Sequence, residues 1–102
     1  MLYKASDSPN LIEEKGIDAR RFYESDKAII AQITLEPGSK LQKHSSDEFA
    51  LLYVVYGQVE VEIENRVYTL SESELIEFYP GQIHSVANNS SNLARVLVIK
   101  IK

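Results

Sequence analysis

Apolar and acidic residues alternate with a period of two at residues 59–64, where valine or isoleucine is followed each time by glutamate. Successive side chains of a β-strand point to opposite faces, so this pattern predicts a strand with one face in a core and the other in water. Similar short stretches lie at residues 28–35, 48–56, 67–70, 75–79, 83–87 and 93–101. No sustained helical period is found, and we expect one helical turn, near residues 9–16. The chain is predicted to be all-β.

Turn-forming residues separate these stretches. Glycine, with or without a preceding proline, follows three of them at Pro37-Gly38, Gly57 and Pro80-Gly81, and polar residues fill the breaks at 71–74 and 88–92. A hairpin turn is predicted at Asn65-Arg66. Short strands joined in this way indicate a β-sandwich or a small barrel. We expect a single domain over 1–102, with an N-terminal strand-and-turn segment at 1–27 and a barrel at 28–102.

Composition narrows the classes of partner. The 102 residues carry a formal net charge of −4, which gives no electrostatic reason to bind a nucleic-acid backbone. Cysteine is absent, which excludes disulfides, thiolate metal sites and cysteine nucleophiles. No apolar stretch approaches the roughly 20 residues of a membrane-spanning helix. We therefore expect a cytoplasmic protein with neither nucleic acid nor membrane as a partner.

The stretch from Phe49 to Tyr56 departs from simple alternation because both of its faces are apolar. Ala50, Leu52 and Val54 are expected to face the interior, which leaves Phe49, Leu51, Tyr53 and Val55 in need of a second surface. An apolar patch left open on a small protein favours association, and we expect a homodimer.

Two separated motifs from about residue 35 to residue 99 resemble those of the cupin superfamily. The first motif in that superfamily runs from glycine through five residues to His-x-His, then to glutamate and to a second glycine. The second ends with Pro-Gly-x-x-His and an asparagine four residues later. This chain has Pro80-Gly81-Gln82-Ile83-His84 and then Asn88, although Ser73-Glu74 replaces the usual Gly-Asp turn ahead of it, and its first motif reads Gly38, His44, Ser46, Ala50 and Gly57.

The resemblance implies an all-β double-stranded β-helix, or jelly-roll barrel. In metal-binding members, two histidines and the glutamate of the first motif and the histidine of the second coordinate a divalent ion. Here Ser46 and Ala50 occupy two of those four positions and are not ligand types, so His44 and His84 alone remain. If a divalent metal such as zinc, iron, manganese or nickel is bound, the two histidines alone would hold it weakly, and Gln42 or Glu48 could add a donor by pointing inward.

Three hypotheses of function follow. In the first, the barrel binds a small molecule through His44, Ser46 and His84. In the second, the protein is a metal-dependent oxygenase or isomerase that uses a reduced set of two histidines. In the third, it is a non-enzymatic module that dimerises or regulates. No catalytic residue is assigned, and the Arg20-Arg21 pair is interpreted as solvated.

Overall fold

A computed structural model describes residues 1–102, which form nine strands and one short 3₁₀ turn at Ala5–Asp7. No helix of the structure has both the length and the apolar character needed to cross a membrane. The strands are β1 (Ile17–Glu24), β2 (Ala28–Leu35), β3 (Lys40–His44), β4 (Phe49–Tyr56), β5 (Val59–Ile63), β6 (Arg66–Leu70), β7 (Leu75–Phe78), β8 (His84–Ala87) and β9 (Ala94–Ile101).

The strands form two antiparallel sheets. One has the order β1-β2-β9-β4-β7 and the other the order β3-β8-β5-β6. The core contains 15 buried apolar residues, contributed by the inner faces of both sheets. The fold is all-β, a double-stranded β-helix of the jelly-roll type, as the sequence predicts.

The alternation of apolar and acidic residues in β5 buries one face of the strand, as predicted. Val59, Val61 and Ile63 are buried, whereas Glu60 and Glu62 lie on the outer face. In β4, the residues expected to face inward are all buried, namely Ala50, Leu52 and Val54. The opposite parity of β4 is only half-buried, and Val55 is 40% exposed, so the outer face of the five-stranded sheet is open at this strand.

The helical turn expected at residues 9–16 is wrong. Asn10 instead forms an isolated antiparallel bridge with Arg20, and its side-chain oxygen accepts hydrogen bonds from the backbone of Ile12 and Ala19 at 3.1 and 2.9 Å. These bonds, together with the bond from the amide of Leu11 to the carbonyl of Ala19 at 2.8 Å, hold residues 10–12 beside β1 and away from a helical turn.

The hairpin turn lies one residue earlier than predicted. Glu64 and Asn65 have φ of 47° and 72°, and Ile63 pairs with Arg66, which is already in β6. A two-residue loop with both central residues at positive φ matches the twist of the flanking strands. Asparagine tolerates that conformation, and the glutamate before it takes the other left-handed position.

The Ser73-Glu74 turn retains a left-handed residue. Ser73 has φ 67°, a conformation that a glycine adopts without steric cost. The backbone amide of Ser73 donates to the carbonyl of Val54 at 2.9 Å, and the amide of Val54 donates to the carbonyl of Glu74 at 3.0 Å. These two hydrogen bonds hold the turn against β4.

Candidate ligand-binding cavity

A cavity of about 360 Å³ lies between the inner faces of the two sheets. Thirteen of its 19 lining residues are apolar. The size and the lining are those of a small-molecule site. The six polar lining residues are Arg21, His44, Ser46, Glu48, His84 and Lys100.

The two histidines meet across a pair of neighbouring strands. His44 at the end of β3 lies directly opposite His84 at the start of β8. Their ring centroids are 4.3 Å apart with an interplanar angle of 63°. Backbone pairing therefore brings the histidines of the two sequence motifs together, and both rings line the same cavity.

His84 is the more constrained of the two. It is 7% exposed, and its ring stacks on Phe78 with centroids 4.0 Å apart and an interplanar angle of 9°. His44 lies at the exposed edge of the cavity. One ring is thus fixed by packing, and the other can adjust to an occupant.

Each imidazole is oriented by a backbone carbonyl. His44 Nδ1 lies 3.0 Å from the carbonyl oxygen of Gln42, and His84 Nδ1 lies 3.0 Å from that of Gln82. A carbonyl oxygen can only accept, so each Nδ1 carries the proton and donates it. In its neutral form each ring then has its lone pair on Nε2, the atom available to a hydrogen-bond donor or to a cation.

Burial lowers the pKa of His84, because removal from water disfavours the charged ring. The hydrogen bond to the Gln82 carbonyl opposes this shift, and the nearby positive charges of His44 and Lys100 add to it. His84 is consequently neutral at pH 7 and acts as an acceptor through Nε2.

The two arginines of the Arg20-Arg21 pair have different environments. Arg20 points to the outer face, where it binds both carboxylate oxygens of Asp18 at 2.8 and 2.9 Å. Arg21 lines the cavity and keeps 47% of its side chain exposed. Arg21 is therefore an exposed residue of the edge strand β1, as interpreted, and its side chain also borders the cavity. Its parity with the buried Ile17 and Ala19 is the signal that would have placed it on the cavity side of β1.

Lys100 is a second cavity residue that sequence reasoning missed. It follows Val96 and Val98 at the inward parity of β9 and lies opposite Ala50 of β4. Terminal strands usually end in solvent, and a lysine near the end of one gives no sign of being in a cavity.

Comparison with known proteins places the fold in a family. The sequence profile of the cupin domain matches residues 31–100, more than half of the chain. The chain belongs to the cupin family. No match is found among curated proteins.

Several solved structures resemble the chain over nearly its whole length. A predicted oxalate decarboxylase from Thermotoga maritima superposes with a TM-score of 0.86 at 18% identity, covering 99% of this chain and 98% of that one. KdgF from a Halomonas species gives 0.84 at 16% identity, covering 100% and 94%. The polyketide cyclase RemF from Streptomyces resistomycificus gives 0.84 at 16% identity, covering 99% and 78%. At these identities the likeness shows the fold and leaves the activity open.

The cupin metal positions do not make a metal centre here. Ser46 and Ala50 both line the cavity, but neither is an imidazole or a carboxylate. No group of three or more histidine, cysteine, aspartate or glutamate side chains is placed to hold a metal ion. Catalytic zinc and non-haem iron sites use three protein ligands. The residues present therefore do not fit a resident metal, and no reaction step is assigned to one.

Gln42 and Glu48, the two possible metal donors outside the cupin motif positions, lie in different places. Glu48 lines the cavity, as its parity with Ala50 allows. Gln42 is exposed and does not line the cavity, so it does not supply the further donor that its parity with His44 allowed. A bulge between Leu41 and His44 shifts the register of β3, and the two-residue periodicity fails across it.

Asn88, the asparagine of the second cupin motif, is fully buried and is absent from the cavity lining. Its side-chain amide donates to the carbonyls of Leu35 and Asn92 at 2.9 and 2.8 Å. Its side-chain oxygen accepts from the amide and hydroxyl of Ser90 at 3.0 and 2.7 Å. The residue ties the loop before β9 to the end of β2.

Proposed function

We propose that this cupin binds a small organic molecule in the cavity between its sheets, with His44 and His84 as the polar contacts. The observation that carries the proposal is the pair of imidazoles across β3 and β8, each oriented through Nδ1 and each with a free Nε2. Two acceptors side by side above apolar walls suit a ligand with hydroxyl or amine donors at one end.

Ser46 supports the same contact. Its hydroxyl caps the backbone amide of Glu48 at 3.1 Å, and the residue lines the cavity near the histidines. Because a hydroxyl both donates and accepts, Ser46 can bind a polar group of the ligand that the two imidazole acceptors leave unpaired.

Imidazole ¹⁵N NMR tests the proposal directly, because the chain has two histidines and each signal is assigned by one substitution. The probes are sugars, sugar phosphates, organic acids and nucleotides. We expect at least one class to shift the Nε2 signals of both histidines and to lose affinity in His44→Asn and His84→Asn. Ser46→Ala should weaken binding, whereas the matched control Ser45→Ala, outside the cavity lining, should not. If no class moves either signal, the proposal is wrong.

A dimer interface is a second proposal, and it is favoured by the outer face of the five-stranded sheet. Leu51 of β4 pairs with Ile99 of β9, and Tyr53 pairs with Leu97. All four are half-buried apolar residues on the outer face. Such a contiguous apolar face is typical of an interface, and a second copy of this sheet would cover it.

A further inference from the structure

Three charged side chains line the cavity. Arg21 and Lys100 are positive, and Glu48 is negative. This leaves an excess of one positive charge among these three lining residues, in a protein whose formal net charge is −4. Low-dielectric walls strengthen the field of such charges, so the cavity attracts anions although the protein as a whole repels them.

Arg21 and Lys100 project from the same face of one sheet. Arg21 of β1 pairs with Ala31 of β2, and Lys100 of β9 pairs with Ile29 of β2. Neighbouring strands are about 4.8 Å apart and each residue rises about 3.3 Å, so the two backbone positions lie two strand spacings apart across the sheet and about 6.6 Å apart along it, with the small or apolar residues of β2 between them. Both long side chains can reach one group above this strand.

Neither positive charge is neutralised inside the cavity. Lys100 takes part in none of the ion pairs of the protein, and across the ladder it faces Ala50, which offers no carboxylate. The one partner of Arg21 is Glu24 at 3.7 Å, and both side chains of that pair are about half exposed. Glu48 forms no ion pair and remains the single opposing charge.

We propose that the ligand is an organic carboxylate, with its anionic group held by Arg21 and Lys100 and its body against the apolar wall of β2 and β9. This rests on the proposed function and names the class of ligand. A planar guanidinium binds a carboxylate through two parallel hydrogen bonds, and the lysine adds a point charge. A hydroxyl elsewhere on the ligand donates to the Nε2 acceptors of His44 and His84.

Calorimetry and imidazole NMR with matched probes test the assignment at pH 7.5 and low salt. The probes are 4-hydroxyphenylacetate and its neutral amide, 4-hydroxyphenylacetamide. We expect the carboxylate to bind about tenfold tighter than the amide, because a hydrogen bond to a charged group is about twice as strong as a neutral one. Higher salt should weaken binding of the carboxylate and leave binding of the amide unchanged.

The variants give changes of opposite sign. Arg21→Gln and Lys100→Gln should each weaken carboxylate binding about tenfold, and Glu48→Gln should tighten it. Arg20→Gln is the matched control, because the side chain of Arg20 lies on the face of β1 opposite to that of Arg21. This variant should leave the affinity for the carboxylate unchanged. Circular dichroism checks that each variant is folded.

Each other outcome overturns the inference. If the amide binds as tightly as the carboxylate and shifts both imidazole signals, the cavity is a binding site but its ligand is not an anion. If the carboxylate binds equally well in Arg21→Gln and Lys100→Gln, the anion lies elsewhere. If neither probe binds, the carboxylate assignment fails, and the wider panel of ligands then decides the proposed function by itself.

Discussion

Replacing Gly57 with alanine probes the closest approach of the backbone in this fold. Gly57 joins β4 to β5 with φ 82°, and an added Cβ would lie 2.6 Å from the carbonyl oxygen of Leu93 and 2.7 Å from Cα of Ala94. The left-handed conformation costs about 1–2 kcal/mol for alanine. Overpacking against rigid backbone adds about 1–3 kcal/mol. We expect Gly57→Ala to lower the free energy of unfolding by about 2–5 kcal/mol.

Gly81→Ala is the matched control, because Gly81 has the same φ of 82° and nothing lies within 4 Å of its added Cβ. It should show the conformational cost alone, about 1–2 kcal/mol. Urea unfolding followed by far-UV circular dichroism measures both variants. In thermal unfolding, a loss of 1 kcal/mol lowers Tm by about 4–8 °C in a domain of this size. Equal losses of stability in the two variants would refute the predicted clash between a Cβ at residue 57 and the backbone at the start of β9.

Three further outcomes are expected. Ser73→Gly should raise the free energy of unfolding by about 1 kcal/mol, because it removes the cost of a left-handed serine, and an unchanged urea midpoint would contradict this. Because the pKa of His84 is lowered in the folded state, the unfolded chain takes up a proton first as the pH falls below about 6.5. Stability should therefore be unaffected by this group above that pH, fall by at most about 1.4 kcal/mol per pH unit down to the folded pKa, and level off below it. The fall in the free energy of unfolding between pH 6.5 and 5 should be smaller in His84→Asn than in the wild type. Equal slopes of this free energy against pH in the two proteins, measured by urea titration, would contradict the prediction. Leu51→Lys should shift the light-scattering mass from dimer to monomer, whereas the outward Glu60→Lys on the other sheet should not, and a monomeric wild-type protein would rule out the interface.

Much of the fold is predictable because one face of most strands is buried. The valine and isoleucine of β5 and the inward triad of β4 follow the period of two without exception. β1 lacks that contrast, since its residues mix small, charged and aromatic side chains and a bulge near Phe22 breaks the period. The position of Asn10 shows the same limit, because its side-chain hydrogen bonds to β1 depend on a strand that is not apparent locally.

The site was predictable in part. The spacing of the two motifs predicted that His44 and His84 share a cavity, and the pairing of β3 with β8 places their rings together. The inward position that parity allowed for Gln42 is not adopted, because a bulge changes the parity of β3. Lys100 was missed because a charged residue at an inward position near a strand end is indistinguishable in sequence from one at the solvated edge, whereas Arg21 shares the parity of Ile17 and Ala19 and could have been placed on the cavity side.

Ala50 accounts both for one missing cupin metal ligand and for the unpaired charge of Lys100 in the cavity. In metal-binding cupins the corresponding position carries a glutamate, and in this chain it faces Lys100 across β4 and β9. A carboxylate there would pair with the ammonium group and neutralise it. Alanine removes the metal donor and leaves the lysine charge without a partner, while the imidazole pair keeps its place because the backbone ladder positions it. The cavity that remains is lined by two imidazoles and two cations, the contacts on which the proposed binding of an organic anion rests.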